Sequence, residues 1–384
     1  MIVMMICHYD DTNSSGGLDK QARLLSRTMR AAGGDVVMLA STRKWSRAGW
    51  ADDNGVRVRS FWTYASPQVS GRYFPASLIW ALQLLLWVIL HHREITVIHC
   101  HQIRIHAFVA SIARKLFGIP SILKSATGGA GADIKAIGSR KYFGAMGRRF
   151  IVRNTDRFIA TTNSIEEDLL RYGVNRSRVA VIPNGLRLPP MTREEHQPER
   201  ARKALFLGRI AADKNPLPLA RAALEVAATR GICVDFWGRG NLQSELQDVI
   251  AGAGEQANVR YCGFTDDPNS VLGQYGFLLI ASAAEGLSNS MLEAMAHGVV
   301  PIATRVSGCI DHITSGTTGF YFEATDHESL VAGLRRLADL SVEEWATMSR
   351  NVKTYAYERF DIRNVVQSYF SLYADLVREG RSAR

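Results

Sequence analysis

Apolar residues along this chain fall into short runs separated by stretches with helical spacing. Residues 2–7, 35–39, 97–100, 121–124, 157–160 and 179–182 form strand-like runs. Runs that are apolar on both faces belong to a parallel sheet covered by helices on either side. A polar, glycine-rich loop follows the first run, and the spacing after it predicts a helix over about 18–32. The alternation stops at 187–203, RLPPMTREEHQPERARK, whose prolines and charges read as a linker. It then restarts, with strands expected at 204–207, 233–237, 259–262, 277–280 and 300–303 and helices around 217–229, 242–253 and 290–296. The expected fold class is α/β: two Rossmann-like doubly wound domains, 1–186 and 204–360, facing across a cleft, with 361–384 as a terminal segment. Ligands of such sheets sit at the carboxyl ends of the strands, which puts the expected site in that cleft.

Composition narrows the class. Of 384 residues, 47% are hydrophobic and 21% charged, which excludes a disordered tail or a collagen-like chain. The formal charge is +10, and it is uneven. Residues 1–180 hold 25 basic and 12 acidic side chains, a net of +13, whereas residues 181–384 hold 21 and 24, a net of −3. The first half therefore faces something anionic: nucleic acid, a bilayer or a phosphorylated substrate. Five scattered cysteines without a CxxC fit a reducing compartment. His99-Cys100-His101 lies on a strand, where neighbours point to opposite faces, so structural or active-site use outranks zinc. Residues 1–6 lack the basic start and cleavage site of a signal peptide and read as a buried strand. The most apolar window, 78–90, has 13 residues against the ~20 that span a bilayer, so a buried or interfacial helix is expected.

Three segments carry candidate chemistry. Ser14-Ser15-Gly16-Gly17 follows the first strand and opens a helix, where glycines admit a ligand and free N–H groups favour an anion. It is not GxGxxG, and a plain βα loop is its ordinary alternative. Arg209 and Lys214 follow a strand end, where two cations neutralise a diphosphate and support its departure; solvated surface cations are the alternative. The sharpest segment is Glu285-Gly286-Leu287-Ser288-Asn289-Ser290-Met291-Leu292-Glu293. Its first carboxylate sits on a loop, suited to a sugar hydroxyl, and the N–H groups after it suit a phosphate. Its second carboxylate, on the helix, suits a ribose hydroxyl.

Together these residues resemble retaining glycosyltransferases of family 4, with the GT-B fold. The resemblance spans nearly the whole chain: Gly16-Gly17, Val181-Ile182-Pro183-Asn184-Gly185, Gly208-Arg209 with Lys214, Gly238-Arg239-Gly240, Gly263-Phe264, the E-x7-E segment, and Ser315-Gly316-Thr317-Thr318-Gly319-Phe320. It ends in a helix over about 362–377 that in the family returns to the first domain. The resemblance implies that Arg209 and Lys214 hold the donor diphosphate, helped by backbone at Gly16, Gly17, Leu287 and Ser288, with Gly286 and Asn289 also donor-binding. Glu285 would bond the donor sugar and Glu293 the ribose, with Gly238 in the donor pocket and Phe264 near the nucleobase. It implies no cofactor and no metal, the cations and a helix dipole standing in for Mg²⁺, and no agreed protein nucleophile. Many members carry a histidine about where Ala126 stands. Lys124, Thr127 or Asp133 could take its place, Asp133 being the better acid or hydrogen-bonding candidate and a helix cap its alternative. Other departures are Arg187 where an aspartate is common and Gly308-Cys309-Ile310-Asp311 where a glutamate-ended turn is. His101 and His106 are expected as buried, satisfied histidines or cleft residues.

In residues 140–150, RKYFGAMGRRF, turning roughly 100° per residue gathers Tyr142, Phe143, Met146 and Phe150 on one face, with most basic residues elsewhere. Such a helix lies on an anionic membrane or packs its stripe on the sheet. No nucleic-acid recognition motif is present, so that partner is set aside. The expectation is a cytoplasmic, peripherally membrane-bound enzyme. It would move a sugar from a nucleotide-diphosphate donor, expected to be UDP-linked, to a saccharide on a lipid carrier. A soluble metabolite acceptor, or an idle partner-binding subunit, is the rival.

Overall fold

The computed structural model describes residues 1–8, 17–64, 73–125, 133–139, 144–190, 197–254 and 258–382. The chain divides into two compact units, Met1–Gly185 with Ile362–Arg384, and Leu186–Asp361. In the first unit the strands are β1 (Ile2–His8), β2 (Val36–Thr42), β3 (Gly49–Asp53), β4 (Val56–Trp62), β5 (Val97–His101), β6 (Ser121–Lys124), β7 (Arg157–Ala160) and β8 (Val179–Val181). They form one sheet in the order β3-β4-β2-β1-β5-β6-β7-β8, parallel except for β3–β4. The centre is set by β1, whose Val3, Met4, Met5 and Ile6 are fully buried and which pairs Met4 with Met38 and with His99. The strand order reverses at β1, so its carboxyl end, beside that of β5, is the switch point of this sheet.

Helices α1 (Gly17–Ala31), α2 (Phe74–His91), α3 (Ile105–Phe117), α4 (Asp133–Gly138), α5 (Gly144–Arg153) and α6 (Asn163–Arg171) complete the first stretch of this unit. The hairpin β3–β4 was not expected. Asn54 and Gly55, with φ of 54° and 82°, make the positive-φ turn that Asn-Gly favours between antiparallel strands. The apolar window at 78–90 is part of the longer α2, 18 residues with a proline in its first turn. The amphipathic stretch at 140–150 is described only from Gly144. There Phe150 is half-buried with Lys115 over its ring, and a Cβ at Gly147 would touch Phe108 of α3. Of the residues expected on its apolar side, Phe150 packs and Met146 is exposed, while Tyr142 and Phe143 lie outside the described residues.

The second unit contains β9 (Lys203–Leu207), α7 (Pro216–Arg230), β10 (Cys233–Trp237), α8 (Gln243–Ala251), β11 (Val259–Gly263), α9 (Asn269–Leu272), β12 (Phe277–Ile280), α10 (Asn289–Ala296), β13 (Val300–Thr304), α11 (Ser307–Ile310), β14 (Phe320–Phe322), α12 (His327–Asp339) and α13 (Val342–Arg359). Its six strands run in the order β11-β10-β9-β12-β13-β14, all parallel, with the switch point between β9 and β12. The expected linker is in part folded here: Pro198–Arg202 is a short helical turn, Ala201 is buried, and Arg200 donates to the carbonyls of Tyr275 and His297. Charge and proline hid that turn, because its anchoring partners lie far along the chain. Two helices that the alternation did not reveal, α12 and α13, close the unit, the latter opened by a Ser341/Glu344 capping box.

The last helix, α14 (Ile362–Ser382), belongs to the first unit and extends beyond the expected 377. Ile362, Val365, Val366, Tyr369 and Tyr373 face the sheet beside α1, at the spacing of one helical stripe.

Candidate functional site

In the second unit the carboxyl ends of β10, β9 and β12 are neighbours, and the chain after each is tied to the next. Gly208 and Ile210 donate to the carbonyls of Trp237 and Arg239 at 3.1 and 2.9 Å. This crossing needs glycine: at Gly238, φ 152°, a Cβ would lie 1.8 Å from the Gly208 carbonyl oxygen. Gly238 thus has a structural reason to be there whatever else it touches. On the other side, Ala283 N–H donates to the Asp213 carbonyl at 3.0 Å and the Asn215 amide to the Ala281 carbonyl at 2.8 Å.

Those ties bring Lys214 onto Glu285. The lysine ammonium donates to Glu285 Oε1, and Ser282 Oγ donates to the same oxygen at 2.8 Å. Both charged side chains are largely shielded, 19% and 12% exposed. Thr304 Oγ1 fixes the Ser282 carbonyl at 2.6 Å, and Ser307 Oγ donates to the carbonyl of Glu285. At Gly308 a Cβ would sit 1.5 Å from the Gly286 carbonyl oxygen, so Gly286-Leu287 is held against the start of α11. Gly308, the first residue of the stretch that lacks the expected glutamate end, allows this close approach. Behind it, burial and then the Glu285 charge push the Cys309 thiol upward, so it stays protonated.

The same loop runs into α10. Ser288 caps the helix, accepting from Met291 N–H at 3.4 Å and pairing with Ser290 at 3.0 Å, and Asn289 is the first helical residue. The first turn of α10 leaves N–H groups that an anion can satisfy. Glu293 lies one turn further, half-buried and engaged in a polar interaction. Arg209 lies 69% exposed with its guanidinium on Asp213 at 2.7 Å. Phe264 follows β11, and the Arg239 guanidinium lies over its ring at 4.0 Å. Arg209, Lys214, Gly238, Glu285 and the segment Gly286 to Asn289 are therefore brought onto one strand edge, with Phe264 beyond β10. Sequence reasoning missed Ser282, Ser307 and Asp213, which hold or neutralise the expected residues, and gave Arg239, quoted in its motif, no role. Ser282 alone carried a signal, standing two residues after the apolar strand.

The first unit holds the other candidates. Gly16, Thr127 and Ala126 lie outside the described residues; Gly17 opens α1. Asp133 opens α4, is 5% exposed and already makes a polar interaction. His106 is buried and satisfied, its Nε2 on the His101 carbonyl at 2.9 Å. His101 and His99 stack at 4.9 Å, and His99 Nδ1 meets the Tyr373 hydroxyl at 2.7 Å. Lys124 ends β6 directly opposite His101. No cluster of three metal-binding side chains occurs among the described residues.

Comparison with known proteins agrees with the two-unit fold. Residues 16–185 match the model of a glycosyl transferase 4-like domain, and residues 201–339 match that of glycosyl transferases group 1. The chain is 24% identical over 307 residues to an Escherichia coli protein, UDP-Gal:alpha-D-GlcNAc-diphosphoundecaprenol alpha-1,3-galactosyltransferase, covering 76% of this chain and 78% of that one. It is 21% identical over 300 residues to N-acetyl-alpha-D-glucosaminyl L-malate synthase of Bacillus anthracis, covering 76% and 77%. Among solved structures, Anabaena HepE, in complex with UDP and glucose, superposes with a TM-score of 0.70 at 17% identity, covering 97% of this chain and 99% of that one. With two doubly wound units and both halves matched, the chain belongs to the family 4 glycosyltransferases of the GT-B fold.

Proposed function

We propose that the protein is a retaining transferase that moves a sugar from a UDP-sugar to a hydroxyl of a lipid-linked saccharide, in surface-polysaccharide assembly, without a metal ion. The observation that carries this reading is the Lys214–Glu285 contact at the switch point of the second sheet, one loop before the start of α10. In this reading Arg209 and Lys214 neutralise the diphosphate as it leaves, and the α10 N–H groups take part of its charge. Glu285 holds the donor sugar, Glu293 the ribose, and Phe264 with Arg239 borders the base. The acceptor hydroxyl attacks from the face that the diphosphate leaves. Asp133 is the hydrogen-bonding residue on the acceptor side, and no protein nucleophile is assigned.

The names of relatives support the choice of partners. The Escherichia coli relative takes a UDP-sugar and a diphosphoundecaprenol-linked acceptor, as its name states. The Bacillus anthracis relative is named for malate, which keeps a soluble metabolite as the second reading. On the lipid reading the enzyme works at the cytoplasmic face of a membrane. The test is a thermal-shift panel of nucleotide sugars, since a true donor stabilises the fold by mass action. Transfer of the stabilising sugar is then assayed with EDTA present, to a polyprenyl-diphosphate saccharide and to hydroxy acids. Transfer to the lipid saccharide is expected. Transfer only to the hydroxy acid selects the second reading, and activity restored only by Mg²⁺ ends the metal-free mechanism.

A further inference from the structure

We infer that the outer face of α2 docks on an anionic lipid bilayer, with the basic residues of α3 and α5 at its side. The inference rests on the lipid-acceptor reading only for its purpose; its observations are independent of it. Leu78, Ile79, Leu82, Leu86, Ile89 and Leu90 are 41–70% exposed. Turning roughly 100° per residue, they fall within one half of the helix, and the buried Trp80, Leu84, Trp87 and Val88 fall on the other. No charged side chain interrupts α2, so a helix apolar on every side lies half in solvent. A soluble surface helix carries a polar outer face, and an exposed apolar face of this length marks an interaction site.

Charge selects the occupant. α3 packs against both α2 and α5, and the three helices contain Arg114, Lys115, Arg148, Arg149 and Arg153 but neither Asp nor Glu. Lys115, Arg149 and Arg153 are exposed, and no ion pair engages them among the described residues. Leu116 and Met146 add exposed apolar side chains on α3 and α5. A cationic, apolar surface fits phosphate headgroups over acyl chains. A second copy of this chain is a poorer fit, because α2-to-α2 pairing would bring two sets of unpaired cations together. By length and composition α2 could cross a membrane. However, its inner face is built into the core of the unit, with Trp80, Leu84 and Val88 fully buried. It therefore lies along the surface, about 27 Å of apolar contact at 1.5 Å per residue.

The test is vesicle flotation without donor or acceptor, so that it does not depend on the proposed reaction. The protein should float with phosphatidylglycerol–phosphatidylcholine vesicles and at least tenfold less with phosphatidylcholine alone. Leu82→Ser/Leu86→Ser should cut binding at least tenfold at any salt concentration. Lys115→Glu/Arg149→Glu/Arg153→Glu should remove the preference for anionic lipid and its salt dependence. A cooperative thermal melt and an unchanged circular dichroism spectrum confirm that each variant folds, and Leu82→Ala/Leu86→Ala, with an intermediate loss, serves if the serine pair does not fold. Unchanged flotation of the folded apolar variants overturns the inference. So does a wild-type dimer, seen by sedimentation, that those variants dissolve, because a second copy would then be the occupant. Binding to vesicles with transfer only to soluble acceptors would keep this inference and remove the lipid-acceptor reading.

Discussion

Two lysines stand at strand ends in this protein, and they are treated in opposite ways. Lys214, after β9, meets the Glu285 carboxylate beside Ser282, in a shielded but not sealed position. Lys124, at the end of β6, is 3% exposed and has no carboxylate partner among the described residues. Its neighbours are neutral: the Tyr369 ring 5.8 Å away, with His101 opposite on β5 and His99 and Tyr373 completing the cluster. Burial lowers the Lys124 amine from 10.5 to about 7, and burial with Lys124 nearby lowers His99 to about 3 and holds His101 far below its usual range. The contrast separates a cation compensated by a carboxylate, the one proposed to meet the donor, from one suppressed by the fold. A compensated pair can exchange its carboxylate for a phosphate, whereas a sealed lysine yields its proton instead.

The largest effect expected is at the compensated pair. Glu285→Gln should lower kcat by roughly a thousandfold and Lys214→Met by about a hundredfold, the range seen when one group that stabilises transition-state charge is lost. The double variant should be no slower than about twofold below the Glu285 variant, because residues acting as a unit are not additive. Steady-state kinetics of the three variants checks this. Fully additive losses would mean that the two side chains act separately and that their contact is incidental.

The sealed lysine should appear in stability. Its native value of about 7 lies below its unfolded value of 10.5, so the unfolded chain binds more protons between those limits. Stability should therefore rise with pH from about 7 to 10.5, against the acid side where Lys124 is charged in both states. Lys124→Met should remove that rise and stabilise the fold at pH 6 by roughly 2–4 kcal/mol. Thermal melts of both proteins across this range decide it. A wild-type curve as flat as the variant's would place the lysine in a wetter setting than its burial implies.

The two sites were not equally legible. At Glu285 the pattern is local: an apolar strand, a polar loop, a cap at Ser288 and a helix follow within one segment, so their order singles out the candidate site. Its partner Lys214 was readable because it also follows a strand end at the same sheet edge. Lys124 was read as a stand-in for a sugar contact, since nothing near it in sequence announces burial. Its cover is supplied by α14, and the His99–Tyr373 hydrogen bond there spans 274 residues. The alternation likewise revealed the two parallel sheets but not β3–β4, whose outward Arg57 and half-exposed Arg59 mask the strand. What stayed hidden depended on packing between distant segments, on which hydrophobic spacing is silent.

The smallest effect concerns the third cation, Arg209, which falls between these two cases. It is paired, with Asp213 four residues on, but both side chains are open to water, 69% and 47% exposed. An exposed pair of this kind is worth about 0–1 kcal/mol, so on the proposed function it is a contact that an arriving diphosphate would displace. Asp213→Asn keeps the backbone carbonyl that receives Ala283 N–H while removing the competing charge. UDP should then bind up to about fivefold more tightly at low ionic strength, with the gain fading toward 1 M salt as screening removes the competition. Calorimetric titration at two salt concentrations measures both. Weaker binding would mean that Asp213 aims the guanidinium rather than occupies it. Arg209 would then join Lys214 as a cation whose carboxylate is part of the site, and the line between suppressed and compensated charge would run between the two units.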